Sequence, residues 1–132
     1  MDVARLETIA RQHGILLIVQ FGSSVSGLLR PDSDIDLAVL AERAPDSLAD
    51  QAQLVADLQP FYPGREVDLV LINRADPLLL KKITERCRLV YGTERRLHEL
   101  KMYAFKRYQD HRRYLALERE YVAKAIRSLA RS

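Results

Sequence analysis

Asp34 and Asp36 are separated by one residue in the segment DIDLAVL, which alternates polar and apolar residues and then becomes apolar. This pattern predicts a strand that runs from a solvated rim into a core. Residues two apart on a strand project from the same face, so the two carboxylates would lie side by side. Adjacent carboxylates repel each other, and the pair therefore predicts a compensating cation.

A third carboxylate, Asp68, stands in the segment EVDLVLI with the apolar neighbours Val67 and Leu69. If the two predicted strands are neighbours, Asp34, Asp36 and Asp68 converge on one patch. Hard oxygen donors suit Mg²⁺, which completes its shell with water and substrate phosphates. Such a patch could hold two ions about 3.5–4 Å apart, which clamp the attacking and leaving oxygens of a displacement at phosphorus. The three aspartates are therefore predicted as metal ligands and catalytic residues of nucleotidyl transfer.

A phosphate-binding turn is predicted at Gly22 and Ser23, which directly follow an apolar run. Glycine lets the backbone approach a phosphate, and the serine hydroxyl adds a donor. Arg30 is placed to neutralise the leaving pyrophosphate. Taken singly, each feature has an ordinary structural explanation as a turn, a cap or a surface charge. Their joint occurrence with the aspartates indicates the parts of one mechanism.

Strands that alternate with helices, followed by a helical tail, predict an α/β (α+β) fold: a mixed sheet of about four strands flanked by helices. Residues 1–92 would form the core, and residues 93–132 a helical extension of the same domain. Beyond Gly92 there is neither glycine nor proline, so one long helix or two abutting helices are expected. The predicted helices are 2–13, 22–29, 45–58 and 78–85, and the predicted strands are 15–21, 34–40, 66–72 and 88–91.

The composition indicates a globular protein, with 48% hydrophobic and 30% charged residues among 132. No apolar run approaches the roughly 20 residues that span a bilayer, and a cytoplasmic location is expected. The single cysteine, Cys87, agrees with a reducing compartment. Basic residues number 10 against 13 acidic ones in residues 1–92, but 11 against 5 in residues 93–132. Such a basic tail is typical of nucleic-acid binding, of an acidic protein partner or of a solvated helix face.

The arrangement Gly22-Ser23, ten residues and then Asp34-Ile35-Asp36 resembles the signature of the DNA polymerase β-type nucleotidyltransferase superfamily. The fullest match is the segment RPDSDIDLAV, and the resemblance covers residues 1 to about 92. It implies that Asp34 and Asp36 bind metal and triphosphate. It also implies that Asp68 joins the metal site and helps to activate the acceptor hydroxyl.

Within that superfamily the short chain resembles the minimal nucleotidyltransferases, or MNT proteins, which are antitoxins of HEPN ribonuclease toxins. The resemblance implies transfer of AMP from ATP to a tyrosine hydroxyl of the toxin, with Mg²⁺ as cofactor. A hetero-oligomer with a HEPN-type partner is expected, without a membrane and without direct nucleic-acid binding. Two alternatives stay open: an aminoglycoside-type enzyme that modifies small molecules, and a non-catalytic antitoxin that acts by binding and occlusion.

The extension carries an apolar stripe at helical spacing. A single helix over its length would run about 57 Å, longer than a domain of this size is wide. The stripe must therefore fold back, near residues 109–111, or meet another chain. A solvated face with core contacts is the alternative. The stripe consists of Leu97, Leu100, Ala104, Tyr108, Leu115, Val122, Ile126 and Leu129.

Overall fold

The computed structural model of the protein describes residues 1–25 and 34–131. Arg30 and most of the helix predicted over 22–29 lie outside the described residues; within them, Gly22–Ser24 form a 3-10 turn. The described part contains four strands, β1 Ile15–Phe21, β2 Ile35–Ala41, β3 Val67–Leu71 and β4 Cys87–Tyr91. Its α-helices are α1 Val3–His13, α2 Leu48–Leu58, α3 Pro77–Glu85 and α4 Glu94–Arg131.

The strands form one mixed sheet in the order β3-β2-β1-β4. Strand β1 is antiparallel to both β2 and β4, while β2 and β3 are parallel. A parallel pair needs a crossover connection, and α2 supplies it between β2 and β3. The predicted mixed sheet of about four strands is confirmed.

Helices cover both faces of the sheet. Ile35, Leu37 and Val39 of β2 belong to the core cluster that also contains residues of α1 and α2. Ala38, one position out of phase, belongs to the opposite cluster, which includes Ile83 of α3 and residues from the start of α4. Because side chains alternate along a strand, Asp36 lies on the same face as Ala38. The alternation therefore places Asp36 on the side of the sheet that α3 covers.

The helix ends follow local capping chemistry. The Asp2 carboxylate accepts from the Arg5 amide at 3.1 Å, and the Asp76 carboxylate accepts from the Leu79 amide at 2.8 Å. Helix α2 begins at Leu48 because the Ser47 hydroxyl accepts from the Asp50 amide at 3.1 Å. The predicted start at residue 45 was therefore three residues early, since Ser47 is the residue that satisfies one of the first free amides.

Helix α4 is one continuous helix of 38 residues. Near its start Leu97, Leu100 and Ala104 are buried, whereas the apolar residues beyond position 114 are exposed. The helix continues through residues 109–111, so of the alternatives given for the stripe the fold back is excluded. The distal part of the stripe therefore extends away from the sheet. No helix in residues 1–25 and 34–131 combines the length and the apolarity that crossing a membrane requires.

Candidate active site

Asp36 of β2 and Asp68 of β3 are directly paired in the parallel ladder. Their flanking residues are buried in the core between the sheet and helices α1 and α2. Both carboxylates consequently project from the other face of the sheet. Asp36 is half-buried and Asp68 is exposed. The pairing confirms that the strands carrying these two aspartates are neighbours.

Gly22 approaches Asp36 from the opposite side, because Phe21 of β1 is the ladder partner of Asp36. A β-carbon at Gly22 would lie 2.6 Å from Oδ2 of Asp36. The backbone φ of Gly22 is +77°, in the left-handed region that favours glycine. The backbone conformation therefore favours glycine at the end of β1, and a side chain at this position would displace the Asp36 carboxylate. The sequence predicts a phosphate-binding role for Gly22. The structure adds a second role, which is to leave room for the Asp36 carboxylate.

Ser23 follows in the 3-10 turn and is exposed. The amide of Val25 closes that turn by donating to the Gly22 carbonyl at 3.1 Å. The turn lies at the same end of the sheet as Asp36. Ser23 is thus accessible to a ligand that approaches the carboxylates.

Asp34 is exposed and immediately precedes β2. The next amide, of Ile35, donates to the Glu66 carbonyl at 2.9 Å, which ties the start of β2 to the start of β3. This bond holds the first residues of β2 and β3 at the same edge of the sheet. Asp34 therefore belongs to the rim that carries Asp36 and Asp68.

The pKa of Asp36 depends on its burial and on the charges around it. Burial raises the pKa of the Asp36 carboxyl, and the neighbouring charge of Asp68 and, less strongly, of Asp34 raises it further. The ammonium of Lys82, on α3, lowers the pKa and so opposes these effects. Lys82 was missed at the level of sequence because one lysine in an amphipathic helix has no distinctive spacing. Its position becomes visible only when α3 is seen packed on the sheet.

These carboxylates fit a divalent cation by their chemistry. They are hard oxygen donors, and burial and the neighbouring carboxylates raise the pKa of Asp36, an effect that a bound cation would oppose. Among the described residues, however, no three His, Cys, Asp or Glu side chains are already gathered as a ligand set. The arrangement supports Asp36 and Asp68 as a pair, and the predicted set of three metal ligands stays a prediction.

Solved structures with this fold include complexes of toxins with antitoxins. A chain of a toxin–antitoxin complex with AMP-PNP matches with a TM-score of 0.69 and 23% identity, over 96% of this chain and 98% of that chain. A chain of the complex between a tri-AMPylated Shewanella oneidensis HEPN toxin and an MNT antitoxin matches with a TM-score of 0.63 and 22% identity. That match covers 96% of this chain and 98% of the other. Both similarities establish a shared fold.

A more similar sequence belongs to a protein provisionally assigned as a minimal nucleotidyltransferase. It is 31% identical with a TM-score of 0.52, over 67% of this chain and 91% of that one. No curated protein sequence matches the chain. The sequence profile of the family described as polymerase beta, nucleotidyltransferase matches residues 5–96, which include Gly22, Asp36 and Asp68. The chain therefore belongs to the polymerase beta nucleotidyltransferase family and is a nucleotidyltransferase.

Proposed function

We propose that this protein is an antitoxin that transfers AMP from ATP to a tyrosine hydroxyl of a HEPN ribonuclease toxin and thereby inactivates it. The observation that carries the proposal is the pairing of Asp36 with Asp68 beside the Gly22 turn. Membership of the nucleotidyltransferase family supports the chemistry. Similarity over nearly the whole length of chains from toxin–antitoxin complexes, one with AMP-PNP and one with a tri-AMPylated toxin, supports the substrates.

The exposed carboxylate of Asp68 is the base that meets the acceptor. It accepts the proton of the tyrosine hydroxyl, and the phenolate oxygen forms a bond to the α-phosphorus of ATP. The bond between that phosphorus and the bridging oxygen breaks, and pyrophosphate leaves with the electron pair. Asp34, Asp36 and Asp68 would hold Mg²⁺, which when bound supplies positive charge to the phosphates.

Three further residues would bind the phosphates. The backbone turn at Gly22 lies next to Asp36, and with the hydroxyl of Ser23, the next residue of that turn, it would hold the triphosphate against the carboxylate. Arg30 would steady the leaving pyrophosphate through its guanidinium. ATP would thus be held between the end of β1 and the start of β2.

Helix α4 is the surface proposed to bind the partner. Its distal half exposes apolar side chains, including Tyr121 and Leu129, which are 75% and 74% exposed. Tyrosine and arginine, both frequent in α4, are enriched at protein interfaces. The same observation favours a second candidate function, a non-catalytic antitoxin that occludes its toxin through α4.

Incubation with Mg²⁺, labelled ATP and the candidate HEPN toxin tests the proposal. ATP labelled at the α-phosphate should label a tyrosine of that protein, whereas ATP labelled at the γ-phosphate should not. Asp34→Ala, Asp36→Ala and chelation of the metal should each abolish the transfer. Label that survives both substitutions would refute the enzymatic proposal, and neutralisation of the toxin without any label would support occlusion. Label on an added aminoglycoside instead of the protein would support the small-molecule alternative.

A further inference from the structure

Two consecutive lysines of α3, Lys81 and Lys82, leave the helix in different directions. Consecutive residues of an α-helix are about 100° apart around its axis. The Lys81 ammonium lies 5.1 Å from the centre of the Tyr108 ring of α4 and 3.2 Å from Oε1 of Glu85. Lys81 therefore occupies the flank of α3 that faces α4.

Lys82 occupies the other flank of α3. Leu80 and Ile83 are buried and fix the side of the helix that rests on the sheet. On a helix of 3.6 residues per turn, Lys82 then points away from α4, on the same side as Leu79. Lys82 is exposed, and its charge lowers the pKa of the Asp36 carboxyl across the space between α3 and the sheet. Because α3 packs on the face of the sheet that carries Ala38, from which Asp36 also projects, Lys82 and the carboxylate site lie on the same side of the sheet.

A bound nucleotide would bring further negative charge to this site. The triphosphate carries several negative charges, and Asp34, Asp36 and Asp68 already add three carboxylates at the rim. A lysine ammonium is a compact point charge that commonly binds phosphate. Because Lys82 is exposed while Asp36 is half-buried, Lys82 stands at the outer part of the site. The outer part is where the β- and γ-phosphates of ATP would extend toward solvent.

We propose that Lys82 is a phosphate-binding residue of the nucleotide site, where its ammonium contacts the departing pyrophosphate. The proposal rests on the proposed nucleotidyl transfer and adds a residue from α3 to a site otherwise built from the turn after β1, the start of β2 and β3. It makes α3 one wall of the nucleotide pocket. The flexible stem of Lys82 allows its ammonium to follow the pyrophosphate as it leaves.

Three variants test the role of Lys82: Lys82→Gln, Lys82→Arg and, as a matched control on the other flank of the same helix, Lys81→Gln. The measurements are kcat and KM for ATP, and inhibition of AMP transfer by inorganic pyrophosphate. Loss of one charge-assisted contact should weaken pyrophosphate inhibition by about 10- to 100-fold in Lys82→Gln. Lys82→Arg should retain part of the inhibition, and Lys81→Gln should behave like the wild type.

Pyrophosphate inhibition of wild-type strength in Lys82→Gln would overturn the proposal. A Lys82→Gln variant that changes only the pH dependence of AMP transfer, with pyrophosphate inhibition unchanged, would also overturn it. Lys82 would then act solely on the ionisation of Asp36. Calorimetric titration of pyrophosphate with Mg²⁺ into the three variants and the wild type separates the two proposals. If no protein is labelled but Lys82→Gln alone binds pyrophosphate weakly, the antitoxin function fails and the lysine site stands. If AMP is transferred and all four proteins bind pyrophosphate equally, the lysine site alone fails.

Discussion

The α-carbon of Gly22 lies directly against the carboxylate of Asp36, so that a β-carbon there would be 2.6 Å from Oδ2. This contact joins the end of β1 to the start of β2 at the point where the nucleotide is proposed to bind. The glycine thus allows two things at once: a left-handed turn and a half-buried carboxylate next to it.

Gly22→Ala should therefore impair both stability and activity. The left-handed backbone alone costs a residue with a side chain about 1–2 kcal/mol, and the new methyl group would also displace the Asp36 carboxylate. Gly64 is a matched control, since its φ is +78° and nothing lies within 4 Å of a β-carbon placed there. Gly64→Ala should lose a similar amount of unfolding free energy and retain AMP transfer. Equal activity of the two variants would contradict the role assigned to the contact.

Asp36→Asn should stabilise the protein at neutral pH while abolishing transfer. The pKa of Asp36 in the folded state lies above its ordinary value of 3.8, first because of burial and then because of Asp68. Ionisation is thus less favourable in the folded than in the unfolded chain, and it costs stability as the pH rises through the folded pKa. Thermal unfolding should show a higher Tm for Asp36→Asn at neutral pH, with the gain disappearing in acid below the ordinary value. Asp110→Asn, at an exposed position of α4, is the control for removing one carboxylate. An increase in Tm of Asp36→Asn that persists at low pH would contradict the explanation.

The contact between His13 and Asp57 predicts an opposite pH dependence. His13 Nε2 lies 2.7 Å from Asp57 Oδ2 and links the end of α1 to α2. The hydrogen bond with His13 is the main cause that lowers the pKa of Asp57. Its stabilisation is present above the ordinary carboxylate pKa and is lost as the pH falls through the lowered one. Because the pair reaches solvent, Asp57→Asn should cost about 0.5–1 kcal/mol at neutral pH. Urea unfolding should show the variant and the wild type converging in acid, and a difference that grows there would count against this linkage.

The two halves of α4 should respond differently to substitution. Leu100 is 6% exposed, and Leu100→Ala should cost about 2–5 kcal/mol of unfolding free energy. Ile126 is 59% exposed, and Ile126→Glu should change that free energy by less than about 0.5 kcal/mol. Ile126→Glu should nevertheless weaken capture of the partner toxin in a pull-down assay.

Ser128→Glu is the matched control for Ile126→Glu, because it adds the same charge to an exposed position on another side of α4. It should leave capture intact. Toxin capture by Ile126→Glu at the wild-type level would exclude this part of α4 from the interface.

The strands, the mixed sheet and the positions of Asp36 and Asp68 could be predicted from the sequence, because buried strands leave continuous or alternating apolar runs. The sequence could not show that Asp36 pairs with Asp68, since spacing along the chain does not reveal which strands are neighbours. It predicted only that the aspartates converge if their strands are adjacent. The role proposed for Lys82 could not be predicted because it depends on how α3 is rotated on the sheet. Absence of glycine and proline after Gly92 allowed either one helix or two, and the structure has one.

The most direct test of the paired carboxylates is the rate of AMP transfer by Asp36→Asn, Asp68→Asn and the variant with both substitutions. If Asp36 and Asp68 serve one catalytic site, each single substitution should remove most of the activity. The double variant should then be about as slow as the slower single variant, because residues that act as a unit are strongly non-additive. Transfer at the wild-type rate by Asp68→Asn, or losses that simply multiply in the double variant, would contradict the account.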